Sequence, residues 1–135
     1  MLTQLCSQIL PIKDQFTHVV GIERGGIPIS SWLADTLGKK HHSILISRYG
    51  DREQPNGLHI CRIIDLPRTP FLLVDDIVDS GETIQYFKEL KCNFIPKFWV
   101  ATLHWCPENS PHQKPDFYVD IKKKGDWIIY PWESQ

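Results

Sequence analysis

Apolar and polar positions divide the chain into short apolar runs separated by polar, glycine-bearing segments. The strongest run, Phe71-Leu72-Leu73-Val74, ends at two carboxylates, Asp75 and Asp76. Four apolar residues without alternation describe a strand buried on both faces, the condition of strands in a parallel sheet. His18-Val19-Val20-Gly21-Ile22 and Ser43-Ile44-Leu45-Ile46-Ser47 read as two more such strands, and residues 94–103 as a further one. A helix is expected over residues 29–37, stopped by Gly38, and another from the apolar positions Ile84, Phe87 and Leu90. Residues 2–10 alternate loosely, as a short helix or an irregular lead-in that Pro11 ends. Residues 48–59 are polar, with Gly50 and a turn at Pro55-Asn56-Gly57, and predict a mobile loop, either a lid or a plain hairpin connection. Residues 104–114 form a proline-punctuated loop, and residues 115–120 return to extended structure. Lys122, Lys123 and Lys124 are expected in a solvated turn. The tail Trp127-Ile128-Ile129-Tyr130-Pro131-Trp132-Glu133 is dense in aromatic residues, which either pack onto the sheet or offer a face to a flat base.

Strands alternating with helices predict an α/β fold, a mostly parallel twisted sheet with flanking helices. At 135 residues the chain holds one core, so a single domain over 1–135 is expected. A hydrophobic share of 41% and a net charge of −1 favour neither nucleic acid nor a membrane surface as partner. No apolar run reaches the length of a membrane span and no charged region precedes an apolar signal core, so a cytoplasmic protein is expected. Cys6, Cys61, Cys92 and Cys106 are scattered without a C-x-x-C pair and read as reduced thiols. His41 and His42 are expected as solvated side chains on a loop.

Chemistry concentrates where the strongest strand ends. Asp75, Asp76 and Asp79 place three acids within five residues, which repel one another unless a cation or donors neutralise them. Behind them Asp79-Ser80-Gly81-Glu82-Thr83 is a loop of mainly short polar residues wrapped on a helix N-terminus, where backbone N–H groups and the helix dipole attract a phosphate. Adjacent carboxylates suit vicinal hydroxyls and a hydrated Mg²⁺, so a sugar phosphate satisfies both halves at once. Glu23-Arg24-Gly25-Gly26, between a strand and a helix, lets backbone approach an anion beside a guanidinium.

This apolar strand followed by two acids, two variable residues, Asp79, Ser80, Gly81, a variable residue and Thr83 resembles the phosphoribosyl pyrophosphate pattern of type I phosphoribosyltransferases. A receiver domain also carries an acidic pair after an apolar strand, but at its first strand, whereas here only about half the chain follows the pair. The resemblance implies that fold, with a core of about 18–104, a lid at about 48–60, and a small C-terminal hood of about 105–135 joined by the N-terminal segment. It implies that Asp79, Ser80, Gly81, Glu82 and Thr83 hold the 5-phosphate, and that Asp75 and Asp76 hold the ribose and Mg²⁺. Glu23, Arg24, Gly25 and Gly26 would hold pyrophosphate, with a Glu23–Arg24 peptide that in purine members can be cis. Ser47 and Tyr49 would open the lid. Asp79 would be the catalytic residue that takes or steadies the imidazole-side proton.

From Asp116-Phe117-Tyr118-Val119 to Trp127-Ile128 and Pro131-Trp132-Glu133 the chain is similar to the hood of small microbial purine enzymes of the xanthine–guanine and hypoxanthine type. That makes Trp127 the stacking residue and Ile128 a backbone partner of the base. One departure stands out. Where that family places a lysine before a proline, donating to the 6-oxo group, this chain has Cys106-Pro107. A thiol is a weak donor without fixed charge, and losing a charge-assisted bond costs ~1.5–3 kcal/mol. A slip of one residue would bring Trp105 or His104 to the base instead. The resemblance thus implies purine salvage with Mg²⁺, phosphoribosyl pyrophosphate and a purine base, in a homodimer or higher homo-oligomer. Its alternatives are a transferase of altered base specificity and a non-catalytic regulator that senses phosphoribosyl pyrophosphate, the latter without a helix-turn-helix segment or basic stripe in its favour.

Overall fold

The computed structural model describes residues 1–48, 58–60, 66–90 and 95–133. Helix α1 (Leu2–Ile9) runs into a 3-10 turn over Leu10–Gln15, where Pro11 takes an early position that needs no amide donor. Strand β1 (His18–Glu23), helix α2 (Ile27–Leu37) and strand β2 (Lys40–Arg48) follow. Then come β3 (Leu58–Ile60), β4 (Phe71–Val74), β5 (Ile77–Val78), α3 (Glu82–Glu89), β6 (Phe98–Ala101), β7 (His104–Trp105) and β8 (Asp120–Ile121). The larger sheet has the order β3-β2-β1-β4-β6, and only the β2–β3 pair is antiparallel. A second, smaller sheet, β5-β7-β8, is parallel throughout.

The expected mostly parallel sheet with helices on its faces is present, and alternation along the strands shows why. Leu72 and Val74 enter one apolar cluster with Leu5, Ile9, Ile29, Leu33 and Tyr130, while Phe71 and Leu73 enter another with Ile84, Phe87 and Val100. Both faces of β4 are therefore covered, and all four of its residues are fully buried.

Several boundaries differ from expectation. Helix α2 begins two residues early because Pro28 fits a first helical turn. Strand β2 begins at Lys40, so His41 and His42 lie in a strand rather than a loop; His41 Nε2 is 2.8 Å from Ser30 Oγ and the His42 ring is 4.9 Å from that of His18. Strand β6 is limited to four residues, and His104 and Trp105, expected in a loop, pair with Ile77 and Val78. Such two-residue strands leave no periodicity to detect. The turn at Pro55-Asn56-Gly57, Cys61, Cys92 and Phe94 lie outside the described residues. Cys6 and Cys106 are buried free thiols.

Candidate active site

Strand order reverses between β1 and β4, since β1 continues to β2 on one side and β4 to β6 on the other. Clefts outside the carboxyl ends of such a pair are where open α/β sheets take ligands. Glu23-Arg24-Gly25-Gly26 leaves the end of β1, with the Glu23–Arg24 peptide cis, and Asp75-Asp76 leaves the end of β4. The two segments touch. A Cβ on Gly25 would fall on the Asp76 carboxylate, and one on Gly26 would fall on the carbonyl of Val74. Only glycine permits this approach of one loop to the other. Arg24 and Glu23 are exposed at the rim.

The acidic pair is held by backbone. Asp76 N–H donates to Asp75 Oδ1 at 2.8 Å, and Asp75 N–H donates to the carbonyl of Ala101 at 3.2 Å. The Asp76 carbonyl accepts from Leu103 N–H at 3.0 Å, His104 N–H at 3.3 Å and the Tyr130 hydroxyl at 3.3 Å. That hydroxyl is 2.8 Å from His104 Nδ1, so the hood is latched to the peptide of the second acid. Burial, reinforced by the charge of Asp76, pushes the Asp75 carboxyl well above the usual carboxylate range. A carboxylate so disfavoured as an anion is relieved by a divalent cation, and two adjacent carboxylates with water fit the coordination habit of Mg²⁺.

Behind the acids a pocket is lined by Asp75 and by the whole run from Ile77 to Ile84. Gly81 caps α3 in the left-handed region at φ +78°, and Gln113 and Ser110 crowd the place a side chain would take. The sequence-predicted Asp79, Ser80, Gly81, Glu82 and Thr83 thus share one concave wall at a helix N-terminus, with Asp75 at its edge.

Asp79 has partners that sequence reasoning missed. Its Oδ1 accepts from Asn109 Nδ2 at 2.7 Å and its Oδ2 from Lys122 Nζ at 2.8 Å. The Lys122 ammonium, first among the causes, holds the Asp79 carboxyl below its ordinary 3.8. Lys122 is only 7% exposed, not the solvated residue expected of a triple-lysine turn, whereas Lys123 and Lys124 are exposed. No local signal marks this contact, since the pairing of Ile121 with Trp105 that sets Lys122 beside Cys106 joins strands of two residues each.

The base-contacting candidates are less assembled. Ile128 is half-buried against the core, and Trp127 stands 86% exposed outside the pocket wall. Cys106 is fully buried, directly beside the Asp79–Lys122 pair. His104 and Trp105 are both engaged, His104 with Tyr130 and Trp105 through Nε1 to the carbonyl of Ser110 at 3.1 Å. Ser47 is the last but one residue of β2, opposite His59, and Tyr49 lies outside the described residues.

Fold and site together define an α/β protein with an anion-suited cleft at the switch point of a parallel sheet. Residues 2–134 match the model of the phosphoribosyl transferase domain, so the chain belongs to that family and is an enzyme of it. It is 32% identical over 124 residues to the xanthine-guanine phosphoribosyltransferase of Desulfotalea psychrophila, covering 91% of this chain and 74% of that one. Identity to the xanthine-guanine phosphoribosyltransferase of Chromohalobacter salexigens is 28% over 129 residues, 96% of this chain and 75% of the other. Among solved structures, the purine phosphoribosyltransferase of Pyrococcus horikoshii superposes with a TM-score of 0.78 at 24% identity, covering 99% of this chain and 87% of that one, a likeness of fold.

Proposed function

We propose that the chain transfers the 5-phosphoribosyl group of phosphoribosyl pyrophosphate to a purine base, a 6-oxopurine such as guanine, xanthine or hypoxanthine, and releases pyrophosphate. The observation that carries this reading is the meeting of three parts at one sheet edge: the Arg24-Gly25-Gly26 loop, the Asp75–Asp76 pair, and the loop from Asp79 to Thr83 on the N-terminus of α3. Two anion-suited loops flank a diacid, matching a donor with phosphate at one end, pyrophosphate at the other and vicinal hydroxyls between. Both relatives being xanthine-guanine phosphoribosyltransferases supports it.

Ser80, Gly81, Glu82 and Thr83 hold the 5-phosphate, and Arg24 with the Gly25–Gly26 backbone holds the leaving pyrophosphate. Asp75 and Asp76 would hold Mg²⁺, which supplies charge neutralisation at the diphosphate when bound. Asp79, kept ionised by Lys122, steadies positive charge on the imidazole side of the base as its nitrogen attacks C1 of the ribose. Trp127 stacks on the base, Ile128 meets its edge, and Cys106 closes the wall behind it. Ser47 and Tyr49 serve the lid that the family resemblance implies, excluding water from a cation-like sugar. A cytoplasmic homodimer or higher homo-oligomer accompanies this reading. The test is pyrophosphate release from the donor with Mg²⁺ and each of guanine, xanthine, hypoxanthine and adenine. Release with a 6-oxopurine is expected; none with any base, while calorimetry still shows donor uptake, would turn the assignment to a sensing protein.

A further inference from the structure

Strand β6 runs parallel to β4, so its first residue, Phe98, stands at the end of the sheet away from Asp75 and Asp76. A cavity of about 440 Å³ opens there, between the last turn of α3 and the segment that carries Lys114 and Asp116. Small-molecule sites occupy about 300–1,000 Å³. The apolar lining is Ile95, Phe98 and Val100, and the charged lining is Lys88, Lys97, Lys114 and one carboxylate, Asp116. Its walls are tied on both sides. Ser110 and Gln113 crowd Gly81 at the start of α3, and Gln113 Nε2 donates to Gln85 Oε1 at 3.2 Å, so the segment is laid along the helix up to Lys114. On the strand side Val100 N–H donates to Asp116 Oδ2 at 2.8 Å and Phe117 N–H to the Val100 carbonyl at 3.0 Å. Peptides alternate along a strand, so the amide and carbonyl of Phe98 face outward at the same edge as those of Val100.

We propose that this cavity is a second ligand site, separate from the catalytic cleft, for a phosphate monoester whose flat body carries hydrogen-bond donors. The inference stands apart from the phosphoribosyl-transfer reading. Charge selects the anion. The whole chain has a net charge of −1, yet three lysines meet one carboxylate here. Among the described residues the one ion pair is that of Lys122 with Asp79, so no carboxylate neutralises Lys88, Lys97 or Lys114. Lys114 Nζ lies 5.9 Å from the centre of the Trp105 ring and 5.8 Å from that of Tyr118, and Lys97 Nζ lies 4.8 Å from that of Trp99. Those rings hold two of the side chains in place and leave their charge uncancelled. Ile95 and Phe98 are half-buried and give a flat body an apolar surface to lie on. Asp116 narrows the choice further. Its Oδ2 is engaged by Val100, so Oδ1 is left to accept from a donor on that body, while a polyphosphate would set further negative charge against it.

The decisive measurement is an NMR titration of the full chain, labelled at isoleucine and valine methyl groups, with adenosine 5′-monophosphate, adenosine and inorganic phosphate. Ile95 and Val100 report the cavity, and Ile77 and Val78 report the catalytic cleft. The proposal expects the monophosphate to shift Ile95 and Val100 with an affinity about tenfold or more above that of adenosine or phosphate. K88M/K114M should weaken that binding about tenfold or more, leaving the Ile77 and Val78 response and the unfolding midpoint unchanged. Phosphate as effective as the monophosphate would mean a lysine patch that reads charge alone, and overturns the proposal. So would shifts confined to the cleft reporters, or cavity shifts that survive K88M/K114M. Should the double variant lose its cooperative thermal transition, K88E and K114E decide singly: weaker monophosphate binding with adenosine unaffected supports the site, and no change refutes it. A chain that releases no pyrophosphate with any base, yet shows the cavity shifts, loses the functional reading and keeps this site; an active chain without them loses the site alone.

Discussion

Asp79 joins the loop before α3 to Asn109 and to Lys122 after β8 through one carboxylate. Replacing it by asparagine is expected to lower turnover by about two to four orders of magnitude with donor affinity largely kept, as measured by steady-state kinetics and calorimetry. Its ion pair also gives stability a definite pH dependence. Asp79 is held below 3.8, so its contribution is present at neutral pH and lost as pH falls through the lowered folded value. Lys122 is held above 10.5, so its contribution is present below that value and lost as pH rises through the raised one. The unfolding midpoint should fall at both extremes in the wild type and less steeply at each in K122M. The position of Asp79 was legible in the sequence because the loop pattern surrounds it. Its partners were not, since Asn109 and Lys122 are 30 and 43 residues away and reach it only through strand pairings too short to leave a pattern.

Among the elements, the loops after β1 and β4 behave as one unit. Gly25→Ala would set a methyl group on the Asp76 carboxylate, a side chain that can give way; donor affinity by calorimetry should weaken about tenfold or more, with little change in unfolding. Gly26→Ala would set it on the backbone of Val74 and Ile22, which cannot move without parting β1 from β4, and urea unfolding should show a loss of about 1–3 kcal/mol. The glycine pair and the diacid were both readable as separate motifs 50 residues apart. Their collision distance was not, because it follows from a β1–β4 adjacency that no local signal encodes. Fully buried strands such as β4 announced themselves through unbroken apolar runs, and β3 did not, since Leu58-His59-Ile60 sits within a polar stretch and takes its structure from β2.

Taken as a whole, the molecule is closed by its last residues. Tyr130 is buried, stacks on Trp132 with ring centroids 5.2 Å apart, and ties His104 and the Asp76 carbonyl together. Tyr130→Phe keeps the stacking and removes the hydroxyl; a loss of about 1 kcal/mol in urea unfolding is expected. A loss near zero would mean that the hood is held by packing alone. Aromatic density in the tail left packing onto the sheet and stacking on a base both open and gave no means of choosing which ring turned inward: Tyr130 went to the core and Trp127 to solvent. The triple engagement of the Asp76 carbonyl, by Leu103, His104 and Tyr130, has a practical corollary. A peptide plane gripped from three directions cannot flip to accommodate a visitor, so the acidic wall behaves as a fixed template. Inhibitor chemistry directed at it should favour stiff scaffolds with their metal-chelating and anionic arms already set at the right spacing, because a floppy compound would gain nothing from a wall that does not yield.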